Sequence, residues 1–227
     1  MGIQERKGRE KEQRRDEILT AAERVFWEKG LTVATMDEIA ERAELGKSTL
    51  YLYYKSKEDL YLAVSMRGGQ IMRRLFEEAI GTGEPTLKLI WNLGEAYYRF
   101  FREYREYFRM FYFMENAQVH SQVSPEMLET CAASDEKIWD LVFGLIRRGI
   151  EEGTMRPDLD PRQAGVMLWS NANGLMRQMD RAGKYWKETL GLDLEVTLRM
   201  SNRFLVLGML TERGRRQWEE MNLGMEQ

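Results

Sequence analysis

Apolar residues recur every three or four positions along almost the whole chain, and this spacing is what most limits the fold. In "RRDEILTAAERVFWEKG" the set Ile18, Ala22, Val25 and Phe26 makes one helical stripe, and Gly30, directly after Lys29, reads as its stop. "TMDEIAERA" opens with Thr35 as an N-cap and Glu38 three residues on, the two halves of a capping box. Its inward face would be Ile39, Ala40 and Ala43. A further capping signal, Ser56 followed by Asp59, starts a helix that reaches about Ile80. Beyond it the spacing predicts helices near 85–102, 104–118, 124–152, 162–182 and 193–213. Strand alternation is weak and no fixed-period repeat occurs, so the fold class is all-α with roughly nine helices.

Composition narrows the function. The 227 residues are 43% hydrophobic, enough for one or two compact domains with a core. A net charge of −3 argues against coating nucleic acid by bulk charge, so any such binding needs a local patch. The single cysteine, Cys131, allows no internal disulfide and fits a reducing compartment. "MGIQERKGREKEQRR" has no apolar stretch of a secretory signal, and Arg6 stands where a myristoylation motif needs Ser or Thr. No apolar run nears the length of a membrane span, and the expectation is a soluble cytoplasmic protein with no membrane partner. One histidine, His120, no metal-ligand cluster and no phosphate-binding glycine loop leave an enzyme little to work with. No cofactor and no metal site is expected.

"GTGEP" at 81–85 is the clearest break in composition. The chain is therefore divided into a basic flexible arm (1–13), a helix-turn-helix (14–56), a connecting helix (57–80) and a larger helical domain (81–227). The first 55 residues read helix, short loop, helix, tight turn, helix, the pattern whose second paired helix enters a DNA major groove. The segment "GKSTLYLYYKSK", Gly46 to Lys57, holds three Tyr and three Lys and no acid, in a chain otherwise rich in acids. On a helix, Leu50 and Tyr54 share the core face. Lys47, Ser48, Thr49, Tyr51 and Tyr53 spread over the rest, and Leu52 points away from the core, where a thymine methyl would suit it. Lys55 and Lys57 would meet phosphates, helped by backbone N–H groups at the next helix start. A Tyr-rich amphipathic helix is also suited to a protein contact; the three-helix context and the missing acids favour DNA. The arm, Arg6 to Arg15, carries six Lys/Arg against two Glu and either reaches DNA or is a solvated tail.

Over about residues 14–65 the sequence resembles the DNA-binding domain of the tetracycline-repressor (TetR) family of bacterial transcription regulators. The "TLYxYxxSKExL" pattern from Thr49 to Leu60 carries the resemblance, with "TMDEIA" upstream at the right spacing. It implies a homodimer on a palindromic double-stranded operator, with an effector pocket between the later helices. By position it makes Thr35 and Lys57 phosphate contacts and turns Lys47, Ser48, Thr49, Tyr51, Leu52 and Tyr53 to the groove. Tyr54 falls where the family usually has a buried Phe. One departure stands out. Where the family usually reads "AGVSKGTLY" this chain reads "AELGKSTLY", which puts Glu44 at the turn glycine and Gly46 at the cap. A glutamate forced to positive φ there costs about 1 kcal/mol.

The larger domain is rich in aromatics and Met. Residues 91–117 alone hold eleven aromatic side chains. Trp91, Glu95, Tyr98, Phe108, Phe111, Tyr112, Trp139, Phe143, Met167, Ser170, Asn173 and Met176 are candidates to line a pocket for an apolar or aromatic effector. Asn92, Glu115 and His120 are further polar candidates. Taken singly, each of the apolar residues reads equally as plain core. Leu194, Leu198, Ser201, Leu205 and Gly208 form a stripe that Leu168 and Ala172 can match, either within one subunit or as a four-helix dimer interface. Gly68-Gly69 inside the connecting helix marks either close packing or a bend point.

Overall fold

A computed structural model describes residues 2–81, 83–114 and 117–221, apart from the side chains of 3, 112–114 and 118. Eleven helices occur among the described residues and no strand does, only an isolated bridge between Met155 and Leu210. They are α1 (Ile3–Val33), α2 (Met36–Arg42), α3 (Lys47–Tyr53), α4 (Lys57–Ala79), α5 (Thr86–Glu103), α6 (Arg105–Met114), α7 (Ala117–His120), α8 (Pro125–Glu151), α9 (Pro161–Leu190), α10 (Leu194–Met209) and α11 (Glu212–Glu220). The two beyond the expected number are the four-residue α7 and α11. Leu210, extended at the C-cap of α10, and Thr211, which caps α11, separate that last helix from the expected 193–213. The chain forms two compact units: Met1–Gln70 with Tyr104–Asp135, and Ile71–Glu103 with Glu136–Gln227. The composition break at 81–85 is thus not a unit boundary. It joins two helical segments of the second unit, while 104–135 groups with the N-terminal helices.

In the first unit Ile18, Ala22, Val25 and Phe26 are buried as their spacing predicts, and the Phe26 ring meets Tyr61 edge-on at 5.0 Å. The backbone leaves helical geometry at Gly30 (φ 72°), the expected stop, and resumes for one short turn. The N-terminal segment is not an extended arm: α1 begins at Ile3, and Arg6–Glu10, Arg15–Glu12 and Arg14–Glu17 pairs run along its solvated surface. Pairs spaced this way support a helix that no proline interrupts.

Between α2 and α3 the chain makes a Schellman turn. The N–H of Leu45 donates to the carbonyl of Ala40 (2.8 Å) and that of Glu44 to Glu41 (3.0 Å). Glu44 holds the left-handed position with φ 53°, the sole non-glycine among the described residues to do so. The turn therefore keeps its shape and Glu44 carries the strain. Glu44→Gly is expected to raise stability by about 1 kcal/mol, seen as a melting temperature about 2–4 °C higher. An unchanged or lower melting temperature would show that Glu44 is not strained.

α4 runs unbroken through the glycine pair. A Cβ on Gly68 would lie 2.7 Å from Cβ of Tyr107, so α6 packs directly on the α4 backbone there. Close approach accounts for Gly68. Beneath it Tyr107 donates to Glu23 (2.6 Å), and Arg67 donates to Glu23 (2.8 Å), Thr20 (3.2 Å) and Asp16. Glu23 is only 8% exposed, and this network ties α1, α4 and α6. Burial, reinforced by the hydrogen bond to Glu23, pushes the Tyr107 hydroxyl far above its ordinary pKa and keeps it a donor. A second buried carboxylate, Asp59 on α4, accepts from the N–H of Ser124 (2.7 Å) and so holds the start of α8.

In the second unit α9 and α10 pack along their lengths, with Asn171 donating to Ser201 and Asn202 (both 3.0 Å). Asp160 caps α9, which outruns the expected 162–182. It kinks at Ala182 (φ −141°) and continues to Leu190, where Gly191 (φ 65°) ends it.

Candidate nucleic-acid interface

The proposed reading surface starts at the loop between α1 and α2. Thr35 caps α2 by accepting from the N–H of Glu38 (3.2 Å), and Glu38 accepts from the N–H of Thr35 (3.1 Å), completing the capping box. Glu38 also takes Lys29 (2.5 Å), and that bond with the Thr35 N–H holds its carboxyl below the usual range. Asp37 and Lys47 pair across the turn at 2.7 Å. The hydrogen bond to Asp37 raises the Lys47 pKa, so its charge is secure at neutral pH.

On α3, Leu50 is fully buried and Tyr54, the C-cap residue, nearly so, as their shared face predicts. Lys47, Ser48, Tyr51 and Leu52 are exposed, and Thr49 and Tyr53 are half-buried. Leu52 stands out at 84% exposure, an aliphatic side chain with no packing role in this chain. Lys55 is exposed and reaches Glu126 at 3.3 Å. Lys57 differs from its expected role as a plain phosphate clamp. Its ammonium donates to the carbonyls of Ala34 (2.9 Å) and Thr32 (3.4 Å), so it first fastens the α1–α2 loop. An ammonium has three donors, which leaves one for solvent or a phosphate.

The expected effector residues are distributed over both units. Phe108, Phe111 and Tyr112 belong to the first unit, and the other nine belong to the second. Phe108 is buried; the Tyr112 side chain and Glu115 lie outside the described residues. In the second unit Trp139 stacks on Phe143 at 5.1 Å and meets the edge of Trp169 at 5.8 Å. Trp91 meets Trp218 edge-on at 5.6 Å, and Met176 is fully buried. The polar candidates are engaged. Glu95 binds Arg199 through two bonds (3.1 and 3.2 Å), Tyr98 donates to Glu195 (2.6 Å), and Asn173 accepts from Tyr97 (3.3 Å). Asn92 donates to the Ala79 carbonyl at 3.5 Å and His120 is exposed. Met167 and Ser170 sit on the open face of α9 instead of facing inward.

The expected interface stripe is mostly covered within the chain. Leu194, Leu198 and Ala172 are buried within the chain, and Leu168, Ser201 and Leu205 are half-buried. Only Gly208 of that set is exposed. The open apolar face of α10 is Val196, Met200 and Phe204, with Val166 and Met167 exposed on α9. Both stripes have helical spacing. The buried one was visible, and so in principle was the i, i+4, i+8 run from Val196 to Phe204.

Comparison with known proteins follows this geometry. Residues 18–64 match the family model described as bacterial regulatory proteins, tetR family. The transcriptional activator FasR of Mycolicibacterium smegmatis is 32% identical over 138 residues, 61% of this chain and 61% of that protein's length. The transcriptional repressor KstR2 of the same organism is 26% identical over 65% of this chain and 70% of its own. The regulator FadR of Bacillus subtilis, solved in complex with stearoyl-CoA, shares the fold with a TM-score of 0.63 at 20% identity, over 85% of this chain and 98% of that one. No described helix is long and apolar enough to cross a membrane. The three-helix motif and the model that spans its core agree: residues 18–64 form a DNA-binding domain of the bacterial regulatory proteins, tetR family, in a chain that resembles transcriptional regulators beyond it.

Proposed function

We propose that the protein is a cytoplasmic, ligand-responsive repressor that binds a palindromic operator as a homodimer and is released by an apolar or aromatic small molecule. The observation that carries the reading is α3. It is short, free of acids, and presents Tyr51 and Leu52 to solvent, the latter the most exposed of the large hydrophobic side chains among the described residues. An exposed aromatic and an exposed leucine flanked by Lys47, Ser48 and Lys55 suit base edges and phosphates of a major groove. Thr35, Thr49, Tyr53 and Lys57 complete the proposed contacts. Residues 14–56 would form the reading head and α4 the connection to the effector-binding part. The apolar effector rests on the aromatic set around Trp139 and Phe143, and the stearoyl-CoA held by FadR is consistent with it. The dimer would form through the open face of α9 and α10. No catalytic role is proposed. FasR, named an activator, favours a second reading in which the same DNA contact recruits transcription instead of blocking it.

Binding of the purified protein to its own promoter region, followed by fluorescence anisotropy across salt concentrations, tests the DNA reading. A steep fall of affinity with salt is expected. Tyr51→Ala should erase discrimination between operator and unrelated DNA, at a cost of about 1–3 kcal/mol on the operator alone. Lys55→Ala should weaken both DNAs alike and lower the salt slope by about one. If both variants bind operator like the parent, α3 does not read DNA and a helical ligand carrier becomes the better description.

A further inference from the structure

A cavity of about 370 Å3 in the second unit belongs to neither the α3 surface nor the aromatic set. Its walls are the loop before α5, the last turn of α8 and the first half of α11. Thr86, the first residue of α5, lines it, and its hydroxyl is fully enclosed without a hydrogen-bond partner. Thr86 itself is 1% exposed. Leaving a buried hydroxyl unpaired is costly, so a native structure keeps one where something else supplies the partner.

The charges around it point to the sign of that partner. Glu152 on the cavity wall is already paired with Arg148 at 2.8 Å, and Glu84 with Lys88 at 3.5 Å. Burial works to raise the Glu152 carboxyl, but Thr86, Arg148 and Arg213 outweigh it and hold it below its usual range. It is therefore ionised and spoken for, yet Thr86 closes no hydrogen bond of proper geometry to it. Arg213 of α11 also lines the cavity and makes no ion pair among the described residues. The N–H groups of Thr86 and Leu87, the first two of the 18-residue α5, precede those that bond to the Pro85 carbonyl and have no acceptor inside the helix. The Arg213 guanidinium, a helix N-terminus and an unmatched hydroxyl are all donors, and all three border a cavity whose acids are already paired.

We propose that this cavity is a binding site for a small oxyanion, a carboxylate or phosphate group. The Thr86 hydroxyl and the α5 N-terminus donate to its oxygens, and Arg213 closes over it. Gln217 on the facing wall supplies an amide for the remainder of the ligand. The site is polar and separate from the proposed apolar effector, so the protein would respond to two ligand classes. It stands whether or not α3 reads DNA.

The test uses the whole protein without DNA. Thermal unfolding and titration calorimetry are run with inorganic phosphate and with acetate, against chloride at matched ionic strength. A saturable rise in melting temperature with phosphate or acetate, absent with chloride, is expected. A response to phosphate alone assigns a phosphate group, and a response to acetate alone a carboxylate. Arg213→Gln, an exposed change that spares the fold, should weaken binding at least about 10-fold. Thr86→Val should weaken it similarly, while its melting temperature in chloride stays level or rises because an orphan hydroxyl is gone. The proposal is overturned if neither anion acts saturably, if Arg213→Gln binds like the parent, or if Thr86→Val melts well below it in chloride, since the hydroxyl would then serve the fold and water alone would fill the cavity.

Discussion

Phe204→Glu is expected to turn the protein into a monomer and to weaken operator binding at least about 100-fold. Phe204 is 64% exposed and stands in line with Val196 and Met200, one helical turn apart on α10. Burying a phenylalanine is worth about 1.5–3 kcal/mol, and a two-fold axis counts it twice, so roughly 3–6 kcal/mol is at stake before the cost of desolvating two carboxylates. That is about 10²- to 10⁴-fold in the dimer dissociation constant. Operator binding falls with it, because two half-sites one helical turn apart need two heads held at a matching distance. Sedimentation velocity and anisotropy read both effects. Leu198→Ala is the companion change. It empties a buried position inside the chain and should cost about 2–5 kcal/mol of stability without dissociating the folded dimer. A Phe204→Glu protein that remains dimeric would move the interface elsewhere.

The second large effect is expected at Arg67. Replacing it with Met removes the guanidinium that binds Glu23, Thr20 and Asp16, and leaves the Glu23 carboxylate buried with Tyr107 as its remaining partner in the network. Breaking one side of a buried ion pair typically costs about 3–5 kcal/mol, or a melting temperature lower by roughly 6–20 °C in a chain this size. The Glu23→Met/Arg67→Met double variant should recover much of that loss, because no unpaired charge is then buried. Urea unfolding of the two single variants and the double measures the cycle. A single-variant loss under about 1 kcal/mol would show that the network is as weak as an exposed pair.

The N-terminal motif was legible because its signals are local. The capping box at Thr35 and Glu38, the Gly30 stop, the Ser56 cap and the buried pair Leu50 and Tyr54 each depend on residues within one or two turns. Even the misfit at Glu44 could be located, since a Schellman turn demands the left-handed position whatever residue fills it. Away from these signals, prediction failed where one pattern suits two surroundings. On α10 the stripe Leu194–Leu198 and the stripe Val196–Met200–Phe204 are both apolar, and only packing against α9 decided which is inside. Met167 and Ser170, candidates for a pocket lining, lie on the exposed face of α9, which their spacing alone did not fix. Lys57 could not be read as a loop fastener, because the carbonyls it holds lie 23 and 25 residues earlier.

The sequence by itself therefore determined the all-α class, the helix-turn-helix and the face of α3 turned to solvent. These follow from periodicity and capping, which act over a few residues and need no partner to be expressed. The tertiary structure alone decided that 104–135 groups with the N-terminal helices, that Gly68 makes room for Tyr107, and that Asp59 holds the start of α8. It also decided that Thr86 is enclosed in a cavity that Arg213 lines. Each of these joins residues far apart in the chain, whose meeting depends on how whole helices cross, and a helical stripe says that it must be covered without saying by what.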